Sequence, residues 1–267
     1  MNPRWRSELT GSEVYEGDAR LVAQTLPDGL VTCSILDGPY NLGKAEWDRV
    51  PRGGTLGDLY TGHLDDVGRL SAPSASLYVW NNAPGWAQLH PLILARGWQF
   101  EVAIVWDKQR SIAQVNPGVC FADVAEICGY YWRGAHQFAK VEGASTNVWR
   151  TNPNQVAAEK LRGEVKVRST TISTSTLHPC QKPLLFAERM IRASTRPGDT
   201  VWVPFGGTLR EMVAAERMAR GKPSEARRVI SCELNADGKD YIGPAVAQAQ
   251  GLPTQTTGQA DLFGGGK

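Results

Sequence analysis

The sequence of 267 residues lacks a cysteine framework, a long apolar run and a strong charge of either sign. Its five cysteines are odd in number and scattered, with no C-x-x-C pair, which argues against disulfides and a zinc site and favours a reducing compartment. No apolar run is long enough to span a bilayer, and the N-terminal segment has no apolar signal core. We therefore expect a cytoplasmic protein without a metal or a membrane contact.

The overall composition is that of an ordinary globular protein. Hydrophobic residues make up 42% of the chain and charged residues 21%, as in typical soluble domains. The formal net charge of +2 does not by itself identify a partner.

Short apolar runs alternate along the chain with longer segments of helical periodicity. The predicted strands are Val31–Leu36, Leu77–Trp80, Glu101–Trp106, Val124–Tyr131, Thr200–Val203 and Arg228–Cys232. The predicted helices are Ala19–Thr25, Trp86–Ala95, Leu184–Ser194 and Leu209–Arg220. This alternation predicts an α/β fold with a mostly parallel sheet that helices cover on both faces. Ligands of such sheets bind beyond the carboxyl ends of the strands.

Two segments differ from this pattern. Residues 107–177 carry more basic than acidic side chains after the Val124–Tyr131 strand, and they are predicted to form an irregular insert within a domain of residues 1–250. A solvated surface loop would explain the same charges. Residues 251–267 are rich in glycine, glutamine and threonine and are predicted to form a disordered tail.

A glycine-rich turn joins a predicted strand to a predicted helix. Pro204–Thr208 follows the strand Thr200–Val203, which is a place where a ligand can approach the backbone closely. The next predicted strand ends at Glu233. An acid in that position can accept hydrogen bonds from ribose hydroxyl groups.

Asp37, Gly38, Pro39 and Tyr40 follow directly after the strand Val31–Leu36. An exocyclic amine of adenine or cytosine is a poor nucleophile because its lone pair is delocalised into the ring. Two acceptors, the Asp37 carboxylate and the Gly38 carbonyl, would draw the nitrogen toward a reactive geometry. Tyr40 would stack on a base that has left the duplex. The simpler alternative is that Asp37 only caps a turn.

Seven motifs follow one another in a distinctive order. They are Tyr15–Asp18, Leu26–Gly29, Asp37–Asn41, Asn147–Trp149, His178–Pro183, Pro204–Thr208 and Glu233–Asn235. The order resembles that of amino-group DNA methyltransferases whose catalytic tetrapeptide precedes the cofactor motif, and it spans about Val14 to Tyr241. The resemblance implies a Rossmann-like methyltransferase fold, a seven-stranded sheet and a circularly permuted motif order. It also implies S-adenosylmethionine as methyl donor, double-stranded DNA as substrate, and a small target-recognition insert where the basic stretch falls.

The resemblance assigns roles to individual residues. It implies a catalytic role for Asp37, Gly38, Pro39 and Tyr40. It implies cofactor contacts for Asp18, His178, Gln181, Lys182, Phe205, Gly206, Gly207, Thr208 and Glu233. His178 is as well explained as a structural histidine.

DNA contacts are predicted for residues near the catalytic motif and for cations of the insert. These residues are Asn41, Trp47, Arg133, Arg150, Lys160, Arg162, Lys166 and Arg168. Individually the cations are as well explained as solvated side chains. Together they would contact phosphates and make binding depend on salt.

Three positions depart from the pattern of the family that the chain resembles. Gly38 stands where proline is usual, Val203 where aspartate is common, and Leu209 where a second glycine is common. The first change predicts a less preorganised tetrapeptide, by about 1 kcal/mol. The other two bear on cofactor affinity.

The tail contains one further motif. Gln259–Phe263 resembles the short peptide by which bacterial proteins dock on the replication sliding clamp, with Gln259, Leu262 and Phe263 as its anchors. A tethered Leu-Phe pair would fill an apolar pocket. Chance is the alternative for so short a motif.

These patterns together predict a DNA methyltransferase that acts on the N6 amine of adenine, since aspartate opens the tetrapeptide. The short insert predicts short or relaxed sequence specificity. The compact size would suit a phage or prophage gene acting in a bacterial host cell. N4-cytosine methylation and a non-catalytic DNA-binding module with this fold stay open as alternatives.

Overall fold

The computed structural model describes residues 1–43, 48–50, 54–109, 121, 124–141, 146–151, 181–235 and 238–251. Several predictions concern residues outside these ranges. They are the roles of Trp47, Lys160, Arg162, Lys166, Arg168 and His178, the sliding-clamp motif at Gln259, Leu262 and Phe263, and the tail beyond Gly251.

Within the described ranges, nine strands form one sheet. They are β1 (Trp5–Arg6), β2 (Glu13–Glu16), β3 (Val31–Leu36), β4 (Ser71–Asn81), β5 (Gln99–Asp107), β6 (Ala125–Arg133), β7 (Val148–Arg150), β8 (Thr200–Val203) and β9 (Arg228–Glu233). Their order across the sheet is β1-β2-β9-β8-β3-β4-β6-β5-β7. All of these strands except β1 and β6 run in the same direction, so their carboxyl ends share one edge.

Helices cover both faces of the sheet. They are α1 (Ala19–Ala23), α2 (Leu56–Leu70), α3 (Ala83–Leu94), α4 (Leu184–Ser194), α5 (Arg210–Ala219) and α6 (Ile242–Gln250). Side chains of α4, α5 and α6 form one buried cluster with Ile35 and Val203. Side chains of α1, α2 and α3 form a second cluster with Leu36 and Trp202. Neighbouring residues of one strand therefore point to opposite cores, as the two-residue period of a strand requires.

The predicted α/β fold with a mostly parallel sheet is confirmed, but the predicted strand number is wrong. In the described part of the chain the sheet has nine strands instead of seven, because two very short strands extend it: β1 has two residues and β7 has three.

The described part of the predicted insert is not separate from the sheet. Strand β6 lies between β4 and β5 and pairs antiparallel with both, and β7 pairs with β5. Residues 125–133 and 148–150 therefore belong to the central sheet. The insert boundaries of 107–177 stay a prediction, with these two segments placed in the sheet.

Helix α2 has no counterpart among the predicted helices. Thr55 and Asp58 form a capping box at its N-terminus, which satisfies backbone N–H groups that a helix start leaves without partners. Its buried residues are Leu56, Tyr60, Leu64, Val67 and Leu70. They recur at helical spacing and pack against the sheet.

Two absences hold for the part of the chain that the structure describes. None of its helices is both long and apolar enough to cross a membrane. Its histidine, cysteine, aspartate and glutamate side chains form no group of three or more that could hold a metal ion.

Candidate active site

A cavity of about 480 Å³ opens at the carboxyl ends of the parallel strands. Four neighbouring strands contribute to it: β2 leads into Asp18, β9 ends at Glu233, β8 leads into Phe205, and β3 leads into Asp37. Helix α2 adds Leu59 and His63, and the first turn of α5 adds Arg210 and Glu211. The volume lies in the range of small-molecule sites.

The structure brings most of the predicted site residues to this one cavity. Its lining includes Asp18, Asp37, Gly38, Pro39, Tyr40, Gln181, Lys182, Phe205, Gly206, Gly207, Thr208 and Glu233. Sequence reasoning did not identify Leu42, Asp48, Leu59, His63, Arg210, Glu211 and Tyr241, which line it as well.

Asp37 is part of a network of charged side chains. The Lys182 ammonium lies 2.7 Å and 2.8 Å from the two Asp37 carboxylate oxygens and 3.0 Å from Glu126 Oε2. It also donates to the Tyr40 hydroxyl, at 3.0 Å. That hydroxyl lies 2.9 Å from Asp37 Oδ1 and 3.1 Å from Glu126 Oε2. Lys182 thus sits between two carboxylates.

The cofactor contact predicted for Lys182 stays a prediction, and within the protein this lysine pairs with two carboxylates. Burial alone would lower the Lys182 pKa, but the charges of Asp37 and Glu126 outweigh it and raise the pKa. Burial alone would raise the Glu126 pKa, but Lys182 and Lys108 lower it to about 2. Both groups are therefore charged at neutral pH, and each depends on the other to remain buried.

Asp48 holds the loop that follows the catalytic motif. Its side chain is 2% exposed. Its Oδ1 accepts hydrogen bonds from the backbone N–H groups of Tyr40 at 2.7 Å and Asn41 at 3.0 Å, and its Oδ2 accepts from Leu42 at 3.0 Å. Asn41 has a left-handed backbone with φ of 59°. A buried aspartate eight residues beyond Tyr40 thus fixes the loop. Its role could not be predicted from the sequence, because no periodic pattern marks a loop residue of this kind.

Gly38 is glycine because its surroundings leave no room for a side chain. A Cβ atom there would lie 2.6 Å from the Tyr60 hydroxyl oxygen and 2.9 Å from two carbon atoms of the Phe205 ring. The Phe205 ring in turn packs against Tyr60 and His63, with ring centroids 5.5 Å and 4.5 Å away. Close packing therefore restrains the tetrapeptide at the position where the usual proline is missing.

Gly38→Ala is expected to lower the free energy of unfolding by about 1 to 3 kcal/mol, since the methyl group overpacks a filled site. Removing the nearest clashing atom with Tyr60→Phe should restore part of that loss, because the Phe205 contacts remain. Urea denaturation of the single variants and the double variant measures both effects. Strictly additive losses would contradict this account.

The glycine loop after β8 is fixed by two different constraints. A Cβ atom at Gly206 would lie 2.6 Å from Leu209 Cδ2 and 2.7 Å from Ser231 Oγ, so close packing within the protein requires glycine there. Gly207 has a φ of 49°. Its backbone N–H donates to Glu233 Oε2, so the acid at the end of β9 holds the loop in place while it lines the cavity.

Leu209 has a backbone conformation that glycine adopts more easily, which fits the glycine that is common at this position in the family that the chain resembles. Its backbone is left-handed, with φ of 53° and ψ of 39°, a conformation that costs a non-glycine residue roughly 1 kcal/mol. Its side chain is fully buried and packs in the cluster under α5. Burial of the leucine outweighs the backbone strain. Neither Leu209 nor Val203 lines the cavity.

The two contributions at Leu209 can be separated by mutation. Leu209→Ala should lower the free energy of unfolding by about 2 to 5 kcal/mol, because the side chain is lost and the strain stays. Leu209→Gly should lower it by about 1 kcal/mol less, because glycine also relieves the strain. Urea denaturation ranks the variants. An alanine variant as stable as the glycine variant would refute the strain.

The predicted DNA-contacting residues that the structure describes lie in three different settings. Arg150 ends β7 at the same edge as the cavity, is 62% exposed and pairs with Asp107. Asn41 is exposed and stands in sequence between Tyr40 and Leu42, which line the cavity; its amide oxygen accepts a hydrogen bond from the backbone N–H of Val50.

Arg133 lies elsewhere. It is at the far end of β6, opposite Ala75 near the start of β4, and therefore at the other edge of the sheet. Its guanidinium donates to the carbonyls of Gly68 and Ser71 at the end of α2 and stacks on Trp98. These contacts give Arg133 a structural role at the end of α2, away from the cavity, and its DNA contact stays a prediction.

Two curated proteins resemble the chain over most of its length. The type II methyltransferase M1.MboII of Moraxella bovis is 26% identical over 245 residues, which cover 80% of this chain and 87% of that protein. The DNA adenine methyltransferase YhdJ of Escherichia coli (strain K12) is 26% identical over 243 residues, which cover 84% of this chain and 79% of that protein.

Solved structures share the fold. The PvuII DNA methyltransferase, which is cytosine-N4-specific, superposes with a TM-score of 0.65 at 17% identity, covering 93% of this chain and 88% of that chain. A DNA modification methylase of Thermus thermophilus, solved with S-adenosyl-L-methionine, gives a TM-score of 0.59 at 19% identity, covering 91% and 95%.

The family assignment follows from the match to a whole-family model. The model described as DNA methylase, for the N6 and N4 enzymes, matches residues 31–243. That range runs from the start of β3 into α6 and includes Asp37, the glycine loop and Glu233. The chain therefore belongs to the N6/N4 family of amino DNA methyltransferases.

Proposed function

We propose that this protein transfers a methyl group from S-adenosylmethionine to the exocyclic N6 amine of adenine in double-stranded DNA. The observation that carries the proposal is the position of the Asp37 carboxylate beside the glycine loop, both of which line one cavity. Strands β3 and β8 are direct neighbours in parallel register. A base and a donor held at these two places would meet within the cavity.

The chemistry of the cavity fits a cationic cofactor. Its lining has five carboxylates, against the cations Lys182 and Arg210; the acids are Asp18, Asp37, Asp48, Glu211 and Glu233. Burial, opposed by Asp18 and Asp66, lowers the pKa of His63, so this imidazole adds no charge at neutral pH. When bound, S-adenosylmethionine supplies an electrophilic methyl group on a sulfonium. Phe205, Gly207, Glu233, Gln181 and Asp18 would hold it.

Asp37 has the acceptor capacity that the proposed reaction needs. A carboxylate offers about four acceptor positions. Lys182 uses one on each oxygen and Tyr40 one more. About one position is left for an N–H of the target amine, and the Gly38 carbonyl would accept the other. The Tyr40 hydroxyl, held by the same network, keeps its ring in place to stack on the base.

Adenine is favoured over cytosine because aspartate opens the tetrapeptide and because YhdJ is named as an adenine enzyme. N4-cytosine methylation is the second candidate, since the cytosine-N4-specific PvuII enzyme shares the fold. A non-catalytic module is less well supported, because Val203 and Leu209 point into the core and leave the cavity unchanged.

The test is mass analysis of nucleosides from unmethylated DNA treated with the protein and S-adenosylmethionine. We expect N6-methyldeoxyadenosine. N4-methyldeoxycytidine would establish the second candidate, and no methylated nucleoside with intact donor binding would favour the module. Digestion of the product with methylation-sensitive enzymes tests relaxed specificity, which protection at a single long site would refute. Sliding-clamp docking stays a prediction.

A further inference from the structure

Glu211 is a buried carboxylate whose surroundings do not explain it. It is the second residue of α5 and is 7% exposed. Among the described residues the cations Arg210 and Lys182 act on it from a distance, but no ion pair reaches it and its one hydrogen bond comes from its own backbone N–H. Buried polar groups normally have their hydrogen-bonding capacity filled, so a buried carboxylate that lines a cavity with no partner beyond its own backbone N–H indicates a ligand.

Glu211 lies next to the glycine loop, so a ligand bound against that loop would come close to its carboxylate. It follows Gly206, Gly207 and Thr208 on the turn that begins α5, and all of these line the same cavity. Glu211 is close enough to Asp37 and to Lys182, which pairs with Asp37, for both charges to act on it. The carboxylate therefore lies at the catalytic end of the cavity.

We propose that Glu211 binds the α-ammonium group in the methionine moiety of S-adenosylmethionine, an inference that rests on the function proposed above. The sulfonium is the other cation of the donor, but it carries no hydrogen. An ammonium supplies both the charge and the N–H donors that a buried carboxylate needs.

The ionisation of Glu211 supports this assignment. Burial, followed by the charge of Asp37, raises its pKa to about 7. A bound ammonium would favour the charged form, so donor affinity should increase with pH from about 6 and level off above about 7, where Glu211 is already charged in the free protein. Other ionisable groups lie on the elements around the cavity and could also titrate. They are Asp18, Cys33, Asp37, Tyr40, Asp48, His63, Lys182, Arg210, Cys232, Glu233 and Tyr241. Comparing the wild type with Glu211→Gln isolates Glu211 from the others.

The experiment is calorimetric titration with S-adenosylmethionine, S-adenosylhomocysteine and 5′-methylthioadenosine. The first two carry the α-ammonium, only the first carries the sulfonium, and the third carries neither. Glu211→Gln should lower the affinity for S-adenosylmethionine and S-adenosylhomocysteine by about 10- to 100-fold, since a charge-assisted hydrogen bond is lost. The affinity for 5′-methylthioadenosine should not change. The pH dependence should flatten in the variant.

A matched control is Glu216→Gln, which alters another buried glutamate of α5 outside the cavity and should leave all three affinities unchanged. If Glu211→Gln lowered the affinity for S-adenosylmethionine but not for S-adenosylhomocysteine, the proposal would be overturned in favour of a sulfonium contact. Unchanged affinity for both ammonium ligands, in a variant with wild-type thermal stability, would also overturn it. A wild-type protein that bound none of the three would instead refute the proposed function.

Discussion

Asp37→Ala is expected to lower the rate of methyl transfer to DNA by about 10²- to 10³-fold or more, while S-adenosylmethionine still binds. The target amine becomes more positive as its nitrogen forms a bond to the methyl carbon. A carboxylate that accepts its N–H therefore stabilises the transition state more than the ground state. The fold should survive, because Lys182 keeps Glu126 as a partner at 3.0 Å.

Single-turnover transfer of a labelled methyl group measures the rate, and calorimetry measures donor affinity. Asp37→Asn separates charge from packing, because it keeps the size of the side chain but replaces one acceptor oxygen with a donor. The control is Asp65→Ala, an exposed aspartate of α2 that pairs with Arg96. A rate for Asp37→Ala within about threefold of the wild type would remove the carboxylate from the mechanism.

The sequence predicted best those elements whose pattern is local. Val31–Leu36, Thr200–Val203 and Leu184–Ser194 have the predicted bounds, because uninterrupted apolar runs and a clear helical period define them. Helix α2 contains three glycines and adjacent aspartates, which obscure its period. One of these glycines, Gly62, makes room for the Arg20 guanidinium, a reason that only the tertiary structure reveals.

In the candidate site, too, the sequence predicts what is local and misses what depends on tertiary contacts. Residues just after strands β3 and β8 could be predicted, since parallel strands bring their carboxyl ends to one edge. The partner of Asp37 could not, because Lys182 is 145 residues away. Glu126 comes from the start of β6, which reaches this edge only because that strand runs opposite to its neighbours. Pattern along the chain contains neither fact.

Lys182→Met is expected to lower the free energy of unfolding at neutral pH by about 3 to 5 kcal/mol, a large fraction of the stability of a typical domain. Methionine fills a similar volume, so the loss is electrostatic. It leaves Asp37 and Glu126 facing each other across the Tyr40 hydroxyl, and among the described residues Lys108 is then the one cation paired with Glu126. Urea denaturation at low temperature measures the change.

The pH dependence of this loss has a definite sign. In the wild type the Glu126 pKa is lowered to about 2, so its contribution to stability is present above the ordinary glutamate pKa and is lost as pH falls toward 2. Without Lys182 the Glu126 pKa rises, because burial is then opposed by Lys108 alone. Glu126 is protonated at higher pH in the variant than in the wild type, so the difference in stability between them should shrink as the pH falls from neutral toward the ordinary glutamate pKa.

A second substitution shows whether Lys182→Met loses stability because a buried charge is left unpaired or because packing is lost. Adding Glu126→Gln to Lys182→Met neutralises one of the two facing carboxylates, so the double variant should recover about 1 to 3 kcal/mol relative to Lys182→Met. Lys140→Met, which replaces an exposed lysine, should change stability by less than about 0.5 kcal/mol. If the double variant lost the sum of the two single losses, Lys182 would be a packing residue, and the charge network would not be what holds Asp37 in place.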